Sequence, residues 1–238
     1  MSESANRLLK HFYANSPHPY RLFEEEVGSA LRSESVLLDA GCGRAVPVLR
    51  KFIGRAARLI GVDLVEFTDV PPGIEIHRAD LSAIPLPDAT VDVVMSRSVF
   101  EHLENPVTVY REFARILRPG GHIIFLTANM WDYATLVARA IPNRFHSRIV
   151  SYVEGREEAD VFPTHYRTNT RRAVERLSAQ SRLKVDSFRY LGQYPNYFMF
   201  NAGFFLLGTG YDKLVTRFER LRFLRGWILV TLRRPAEP

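Results

Sequence analysis

A short apolar run followed by a glycine-rich turn decides the fold, and its sequence is Val36-Leu37-Leu38-Asp39-Ala40-Gly41-Cys42-Gly43-Arg44-Ala45. The run predicts a strand that is buried on both faces, because strands of a parallel sheet are continuously apolar rather than alternating. The two glycines predict a sharp turn at the end of the strand, where the backbone can approach a ligand without a Cβ in the way. A single turn of this kind is a weak signal, so the rest of the chain has to supply the context.

Similar apolar runs recur along the chain and alternate with helical stretches. We predict further strands at 58–63, 74–80, 91–96, 122–127, 184–190 and 226–232. Predicted helices cover 6–31 (with a break at 16–19), 46–53, 107–117, 130–141, 145–153 and 170–181. Strands alternating with helices indicate βαβ units, and therefore an α/β fold with a mostly parallel sheet and helices on both faces.

The composition is that of a folded chain with a core of its own, and we predict a single domain over 1–238. Hydrophobic residues make up 46% of the 238 residues and charged residues 24%, and a chain of this length can bury a sizeable core. Within the domain we distinguish an N-terminal helical segment (1–33), a core (34–128) and two insertions (130–168 and 193–225). Insertions at strand ends are where such folds carry specificity.

Charge and cysteine content bound the location and the partners. Cys42 is the only cysteine, which excludes an intramolecular disulfide and a cysteine-rich zinc site and fits a reducing compartment. We expect no bound metal. No apolar signal core follows the first residues, so we expect a cytoplasmic protein. The net charge of +6 is spread among acids without a polybasic run, which favours a solvated basic surface over a nucleic-acid site.

Carboxylates end three successive predicted strands, at Asp39, Asp63 and Asp80. A dinucleotide-binding turn has a third glycine three residues after the second, but Val46 stands there, and Asp39 would repel a pyrophosphate. Asp39 could instead pair with a cationic ligand, Asp63 could accept both hydrogen bonds of a ribose diol, and Asp80 could accept from a purine amine. Helix capping is the alternative role for each of the three.

With these motifs the chain resembles the class I S-adenosylmethionine-dependent methyltransferases, particularly their small-molecule branch (methyltransferase type 11). The motifs that carry the resemblance are Asp39-Ala40-Gly41-Cys42-Gly43, Gly61-Val62-Asp63, Ala79-Asp80-Leu81, Pro85-Leu86-Pro87-Asp88, Val91-Asp92-Val93-Val94, Phe100-Glu101-His102-Leu103 and Leu117-Arg118-Pro119-Gly120-Gly121. The resemblance implies a Rossmann-like seven-stranded sheet whose last strand is antiparallel and lies beside the fifth. It also implies S-adenosylmethionine as cofactor, bound by Asp39, Gly41, Cys42, Gly43, Asp63, Leu64, Asp80, Leu81 and Ser96. One departure is Ala45, where many members have glycine.

The methyl acceptor is less defined. An oxygen acceptor of high pKa needs a general base, and the candidates are Glu101, His102 and His165 with its neighbour Tyr166. Support of the loop by Glu101-His102, and a helix cap and packing around His165, are the alternatives. After the fourth strand the chain reads Ser96-Arg97-Ser98-Val99 instead of the Asn/Asp-Pro-Pro-Tyr of amino-adenine methylases. These features favour a small-molecule acceptor over a nucleic acid.

The second insertion contains 22 uncharged residues in a row, 190–211. A lid over the cofactor is one interpretation, and a patch that contacts a membrane peripherally is another, which would suit a lipid-linked acceptor. We therefore predict methyl transfer from S-adenosylmethionine to a small-molecule or lipid-linked metabolite by direct displacement. Three alternatives stay open: a non-catalytic module that binds the cofactor for regulation, an RNA methyltransferase and a nicotinamide-dependent dehydrogenase.

Overall fold

The structure is a computed structural model that describes residues 2–140 and 162–236. Seven strands form one sheet: β1 (Val36–Ala40), β2 (Arg58–Asp63), β3 (Ile74–Arg78), β4 (Val91–Arg97), β5 (Leu117–Ala128), β6 (Lys184–Leu191) and β7 (Trp227–Arg233). Their order across the sheet is β3-β2-β1-β4-β5-β7-β6. Strands β1 to β5 pair in parallel, whereas β7 is antiparallel to both β5 and β6. The predicted fold, with an antiparallel last strand beside the fifth, is confirmed.

Six α-helices surround this sheet in the described ranges: α1 (Glu3–Tyr13), α2 (Pro19–Ala30), α3 (Pro106–Ile116), α4 (Tyr133–Ala140), α5 (Arg171–Gln180) and α6 (Ala202–Arg217). Helix α2 packs on one face, where Phe23 and Val27 join an apolar cluster with Leu37 of β1. Helices α3 and α5 pack on the other face, and Leu38 lies in that second cluster. Neighbouring residues of β1 thus point into opposite layers, which explains why this strand has no polar face.

Several element boundaries differ from the prediction. Instead of a helix over 46–53, β1 is followed by turns and one short 3-10 helix, Leu49–Phe52. The cause lies at its start, where Val46 has a φ of +43°, which is outside the right-handed helical region, so that an α-helix cannot run through this residue. Strand β3 ends at Arg78, two residues earlier than predicted, and β5 begins at Leu117, five residues earlier.

The two predicted insertions are described to different extents. In the first, a helix is present as α4, and the helix predicted over 145–153 lies outside the described residues. The second insertion consists of the 3-10 helix Asn196–Phe198, α6 and the 3-10 helix Glu219–Leu224. Helix α6 packs against α1, where Ala5, Met199 and Phe205 form a small buried cluster. In the described ranges, none of the helices has the length and apolar character that crossing a bilayer would require.

Candidate functional site

The candidate site lies where the strand order reverses, at the carboxyl ends of β1, β2 and β4. Strand β1 pairs with β2 on one side and β4 on the other, so that the connections following these strands leave the sheet in opposite directions and open a crevice between them. In open α/β sheets, ligands bind in this crevice.

The glycine turn after β1 is closely packed at its first glycine. Gly41 has a φ of +80°, and a Cβ placed on it would lie 2.3 Å from Cγ2 of Val99. Gly43 also has a positive φ, +71°, but a Cβ there would meet only Cδ of Pro47, at 3.9 Å. The Gly41 N–H donates to the carbonyl of Val62 at 2.8 Å, which ties the turn to β2. Glycine is therefore required at position 41 by both conformation and space, and at 43 by conformation alone.

Asp39 carries a buried carboxylate that lacks a full set of partners. The residue is 2% exposed, and its Oδ2 accepts no hydrogen bond from any described residue. Burial raises the pKa of this carboxyl from 3.8 to about 7, while the charge of Arg97 lowers it and that of Asp63 raises it further. An unpaired buried carboxylate is costly for a folded chain, so this oxygen is suited to a cationic ligand at the turn.

Asp63 joins the glycine turn to the end of β2 through backbone hydrogen bonds. Its Oδ2 accepts from the N–H of Gly43 at 2.7 Å, and its Oδ1 accepts from the N–H groups of Leu64 at 2.7 Å and Val65 at 3.3 Å. The side chain of Leu64 is 50% exposed and lies at the open edge of the sheet. A carboxylate offers about four acceptor positions, so Asp63 keeps limited capacity for a further donor, and the long bond from Val65 is the weakest of the three.

Asp80 lies in the turn after β3. Its Oδ1 accepts from both the N–H and the hydroxyl of Ser82, at 2.7 and 2.6 Å, which is a local Asx turn, and the described residues between it and β4 form no helix. Asp80 is exposed, whereas Leu81 is buried in the core next to α3. Within the described residues, the second oxygen of Asp80 accepts no hydrogen bond and could accept one from a ligand.

Two other predicted site residues hold the sheet together. The Ser96 side chain is fully buried, and its hydroxyl donates to the Ala40 carbonyl at 2.7 Å, which joins β4 to β1 beneath the turn. The thiol of Cys42 packs against β2, because a Cβ on Gly61 would lie 2.8 Å from its Sγ. Burial raises the pKa of this thiol, so the side chain stays neutral and contributes packing. Only the backbone of Cys42 can face a ligand in the turn.

Arg97 at the end of β4 is held by residues of α2, and no local sequence pattern predicts these contacts. Its guanidinium lies 4.2 Å from the centre of the Tyr20 ring and 3.4 Å from Oε1 of Glu24. Burial and the charge of Arg97 lower the pKa of His18, which caps the start of α2 by accepting from the Tyr20 N–H. The positive charge of this guanidinium lowers the pKa of Asp39. The N-terminal helical segment therefore forms part of the candidate site.

The two residues predicted as bases after β4 differ in their surroundings. Glu101 is 8% exposed and accepts a hydrogen bond from Thr127 of β5 at 2.7 Å, and the Thr127 oxygen in turn accepts from Asn169. These contacts favour support of the loop. His102 is half-buried, and its Nδ1 lies 3.0 Å from the carbonyl oxygen of Pro163, which leaves Nε2 without a described partner.

The predicted base His165 lies across from this loop. Its side chain is exposed, and its backbone N–H donates to the carbonyl of Glu101 at 2.8 Å. Tyr166 also donates its N–H to that carbonyl, at 3.0 Å. The segment around His165 is therefore fixed to the β4 loop by its backbone. The following Thr170 caps α5 by accepting from the N–H of Ala173 at 3.2 Å.

A second group of polar residues, which sequence reasoning missed, lies beside the end of β5. Asp132 directly precedes α4, and its carboxylate accepts from the Ala134 N–H at 3.1 Å. Burial raises its pKa to about 6, opposed by hydrogen bonds from backbone N–H groups. Asp212 of α6 accepts from the Tyr13 hydroxyl at 2.9 Å, and burial raises its pKa as well. Because these residues are far apart in sequence, no local pattern could have brought them together. In the described ranges no cluster of three His, Cys, Asp or Glu side chains could hold a metal ion.

Comparisons with known proteins agree with this geometry. Residues 38–125 match the family model described as a methyltransferase domain. A protein of Mycolicibacterium smegmatis (strain ATCC 700084 / mc(2)155), named a probable S-adenosylmethionine-dependent methyltransferase, is 36% identical over 124 residues, or 50% of this chain and 47% of that protein. The 27-O-demethylrifamycin SV methyltransferase of Amycolatopsis mediterranei (strain S699) is 32% identical over 104 residues, or 39% of this chain and 38% of that protein. The matched region thus spans less than half the length of either relative.

Solved structures extend the likeness to most of the chain. An S-adenosylmethionine-dependent methyltransferase from Mesorhizobium loti superposes with a TM-score of 0.61 at 19% identity, covering 92% of this chain and 99% of that one. The [4+2]-cyclase SpnF superposes with a TM-score of 0.56 at 17% identity, covering 91% of this chain and 82% of that one. At these identities the likeness concerns the fold. The chain is therefore similar to S-adenosylmethionine-dependent methyltransferases in its fold and, over residues 38–125, in the sequence motifs at the strand ends.

Proposed function

We propose that this chain binds S-adenosylmethionine at the ends of β1, β2 and β3 and transfers its methyl group to a small-molecule acceptor. The observation that carries the proposal is the orphaned Oδ2 of Asp39, a fully buried carboxylate oxygen beside a turn that is open to a ligand. The ammonium group of the cofactor's methionine portion supplies the positive charge that this oxygen lacks. A neutral or anionic ligand at the same place would leave the carboxylate as costly as before.

The remaining cofactor contacts follow from the same edge of the sheet. The ribose diol would hydrogen-bond to Asp63, and the 3.3 Å bond from the Val65 N–H is the contact that most readily gives way to it. Asp80 would accept from the adenine amine through the oxygen that Ser82 does not use. Leu64, half of whose surface is exposed, would cover the adenine face. Gly41, Gly43 and the backbone of Cys42 would leave room for the methionine portion.

The protein's contribution to the reaction would be chiefly alignment. The sulfonium of the cofactor supplies an activated methyl group and a neutral leaving group, and correct positioning of an acceptor can contribute ~7–11 kcal/mol to such a displacement. His102 is the residue best suited to take a proton from an acceptor hydroxyl, because Pro163 occupies only its Nδ1. Glu101 would serve as a support for this loop, since its carboxylate is engaged by Thr127. His165, exposed on the facing segment, is a second candidate base.

The acceptor would be a small or lipid-linked metabolite. The rifamycin relative is named for methylation of a small molecule, and this supports the same class of acceptor here. The described apolar surface beside the end of β5, with Tyr133, Phe198 and Leu207 around one cavity, supports an acceptor with apolar character. The described parts of the two insertions, 130–140, 162–168 and 193–225, would then border it as parts of a single domain.

A second candidate function is suggested by the structural likeness to a [4+2]-cyclase. That protein of similar fold is named for a cyclisation, so a protein of this fold can serve another reaction. For this chain the corresponding alternative is a module that binds the cofactor without transferring its methyl group. Cofactor binding and methyl transfer must therefore be measured separately.

The experiment is a calorimetric titration of the purified chain with S-adenosylmethionine, S-adenosylhomocysteine and NAD. We expect the first two to bind and NAD not to bind, and we expect Asp63→Ala and Asp39→Asn to weaken binding at least tenfold. Asp88→Asn is the matched control, because Asp88 lies before β4 at the opposite edge of the sheet and pairs with Arg115. Failure of both adenosyl ligands to bind would refute the proposal and make the carboxylates structural.

Transfer is then tested with cofactor labelled on the methyl group. The chain is incubated with small-molecule and lipid extracts, and label is counted in each extract against Asp63→Ala as the inactive reference. Label that enters a small-molecule or lipid fraction supports transfer. Label that enters only an RNA fraction added in parallel would identify an RNA methyltransferase, whose binding would fall steeply with salt. Binding without transfer to any fraction would favour the regulatory module.

A further inference from the structure

Helix α6 presents an exposed apolar stripe, which we call the α6 stripe. Within the helix, Phe204, Leu207 and Leu214 are spaced by three and seven residues, so that they share one face, and Phe200 and Phe218 flank the two ends of the helix. The exposed fractions are 65% for Phe200, 52% for Phe204, 72% for Leu207, 50% for Leu214 and 54% for Phe218. A group of exposed apolar side chains on one surface can mark an interaction site.

The opposite face of α6 satisfies the packing needs of the helix. Phe205, Thr209, Asp212 and Val215 are buried, and the helix contacts α1 through this side. On this buried face, Asp212 accepts a hydrogen bond from the Tyr13 hydroxyl and so ties α6 to α1. The stripe is therefore a second apolar face, which the core of this chain does not use.

Basic residues border the stripe, and exposed acids are absent from it. Lys213 and Arg217 are exposed on the flank of α6, and Arg220 follows in the next turn. Among the described residues, neither Arg217 nor Arg220 forms an ion pair. The acids between 202 and 220 are Asp212, which is buried, and Glu219, which pairs with Arg222 and Arg225. A shallow groove lined by Lys213, Leu214, Arg217 and Phe218 places cationic and apolar groups side by side.

The size of the stripe argues against a second protein as its occupant. Helix α6 has 16 residues, which makes it about 24 Å long, and one face of a helix about 10 Å wide gives an area on the order of 250 Å². A stable protein–protein interface needs about 800 Å² from each partner. An amphipathic helix lying in a bilayer surface needs only an apolar face and a basic flank, because the lipid adapts to its shape.

We propose that the α6 stripe docks the protein on an anionic phospholipid bilayer, with α6 parallel to the membrane plane. Phe204, Leu207 and Leu214 would enter the acyl boundary, and Arg217 and Arg220 would meet lipid phosphates, because the Lys213 ammonium already donates to the Phe12 carbonyl and lies over the Tyr13 ring. Each basic side chain near such a surface contributes to binding, and the attraction is lost on neutral lipid. The docking concerns a surface outside the strand ends, and it is independent of the proposed methyl transfer.

The α6 stripe adjoins a cavity, and this position connects the proposed docking with the proposed acceptor site. A cavity of about 240 Å³ is lined by Tyr133, Phe198, Leu207, Gly208 and Tyr211, so Leu207 belongs both to the stripe and to the cavity wall. Tyr133 begins α4, the first helix after the end of β5. An apolar acceptor could thus pass from the bilayer along the stripe to the edge of the sheet where the cofactor would lie. This step, unlike the docking itself, rests on the proposed function.

Vesicle flotation of the whole chain tests the docking. Wild type is mixed with vesicles of phosphatidylcholine alone and of phosphatidylcholine with about 30% phosphatidylglycerol, and the floated fraction gives a partition coefficient. We expect flotation with the anionic vesicles at low salt and at least tenfold weaker partitioning with the neutral ones. Leu207→Asp and Arg217→Glu are each expected to lower anionic partitioning about tenfold or more.

Two matched controls keep the result specific. Ile53→Asp alters a side chain that is 51% exposed near the opposite edge of the sheet, and Arg176→Glu reverses an exposed charge on α5. Both are expected to float like wild type, and far-UV melting curves verify the fold of all four variants.

Absence of wild-type flotation would overturn the proposal, as would equal losses in stripe and control variants. A wild-type dimer that Leu207→Asp converts to a monomer, without flotation of either, would assign the stripe to a second copy instead. S-Adenosylmethionine titration of the same samples reports separately on the proposed function.

Discussion

Replacement of Asp39 by asparagine should stabilise the unliganded protein and at the same time abolish cofactor binding. Asp39 is 2% exposed, one of its oxygens has no partner among the described residues, and its pKa is raised to about 7 chiefly by burial. The unfolded chain exposes this carboxyl to water, where its pKa returns to 3.8. Folding at neutral pH must therefore bring a charge into a buried site, and the isosteric amide in Asp39→Asn removes that requirement.

The sign and size of the effect depend on pH. The folded-state pKa of Asp39 lies above the unfolded value, so the folded chain binds the proton more tightly and loses stability as pH rises from about 4 to about 7. A rise from 3.8 to about 7 corresponds to about 4 kcal/mol, which is fully present at pH 8. At pH 5.5 the loss is about 2 kcal/mol, because Asp39 is then largely protonated in the folded state. The advantage of Asp39→Asn should shrink accordingly.

Urea unfolding of the unliganded wild type and Asp39→Asn at pH 8 and pH 5.5 measures this difference. The decisive quantity is the change in the stability gap between the two pH values, since any cost of burying the amide itself is the same at both. We expect the gap to favour Asp39→Asn by about 2 kcal/mol more at pH 8 than at pH 5.5. A gap that stays constant with pH would refute the reasoning, because Asp39 would then titrate alike in both states. Calorimetry on the same variant should show no S-adenosylmethionine binding.

Three further predictions concern the turn, the pH dependence of binding and the loop after β4. Gly41→Ala should destabilise the chain by more than about 2 kcal/mol, because its Cβ would lie 2.3 Å from Val99, whereas Gly43→Ala should cost about 1 kcal/mol; equal midpoints in urea would contradict this. Cofactor affinity should fall up to tenfold per pH unit below about 7, since the ammonium needs Asp39 ionised, and calorimetry at pH 5.5, 6.5 and 8 checks it. Glu101→Gln should lower stability by about 1–3 kcal/mol, whereas His102→Ala should lower turnover with unchanged cofactor affinity; unchanged turnover would remove His102 as the base.

The sheet could be predicted from the sequence because a short apolar run within each strand is enough to identify it. Leu37 and Leu38 belong to opposite core clusters, so burial on both faces leaves a continuous apolar run that marks β1 without reference to its neighbours. The segment 46–53 was predicted wrongly for the opposite reason. Its residues are compatible with a helix, but the turn before it imposes a φ of +43° on Val46, and this conformation depends on packing of the turn against β2.

The two carboxylates at the ends of β1 and β2 could also be predicted, because Asp39 and Asp63 lie at the ends of strands that the apolar runs delimit. The other half of the site could not. Arg97 is held by Tyr20 and Glu24, more than 70 residues away in sequence, and Asp212 meets Tyr13 across nearly the whole chain. Such pairs depend on how α1, α2 and α6 are placed against the strand ends, and no periodicity within any one segment contains that information.

Three unfavourable features of the fold lie at the edge where the cofactor would bind. Asp39 lacks a partner for a buried oxygen, and Val46 and Ser98 adopt left-handed conformations with φ of +43° and +58°, which cost of order 1–3 kcal/mol each for residues other than glycine. All three flank the ends of β1 and β4. At the opposite edge, by contrast, Asp92 accepts from the Val36 N–H and from Arg118, both at 2.7 Å. The carboxylate of Asp92 thus has a backbone and a charged partner where the strands begin, whereas Asp39 lacks a partner for a buried oxygen where they end, which is the asymmetry expected of a ligand-binding edge.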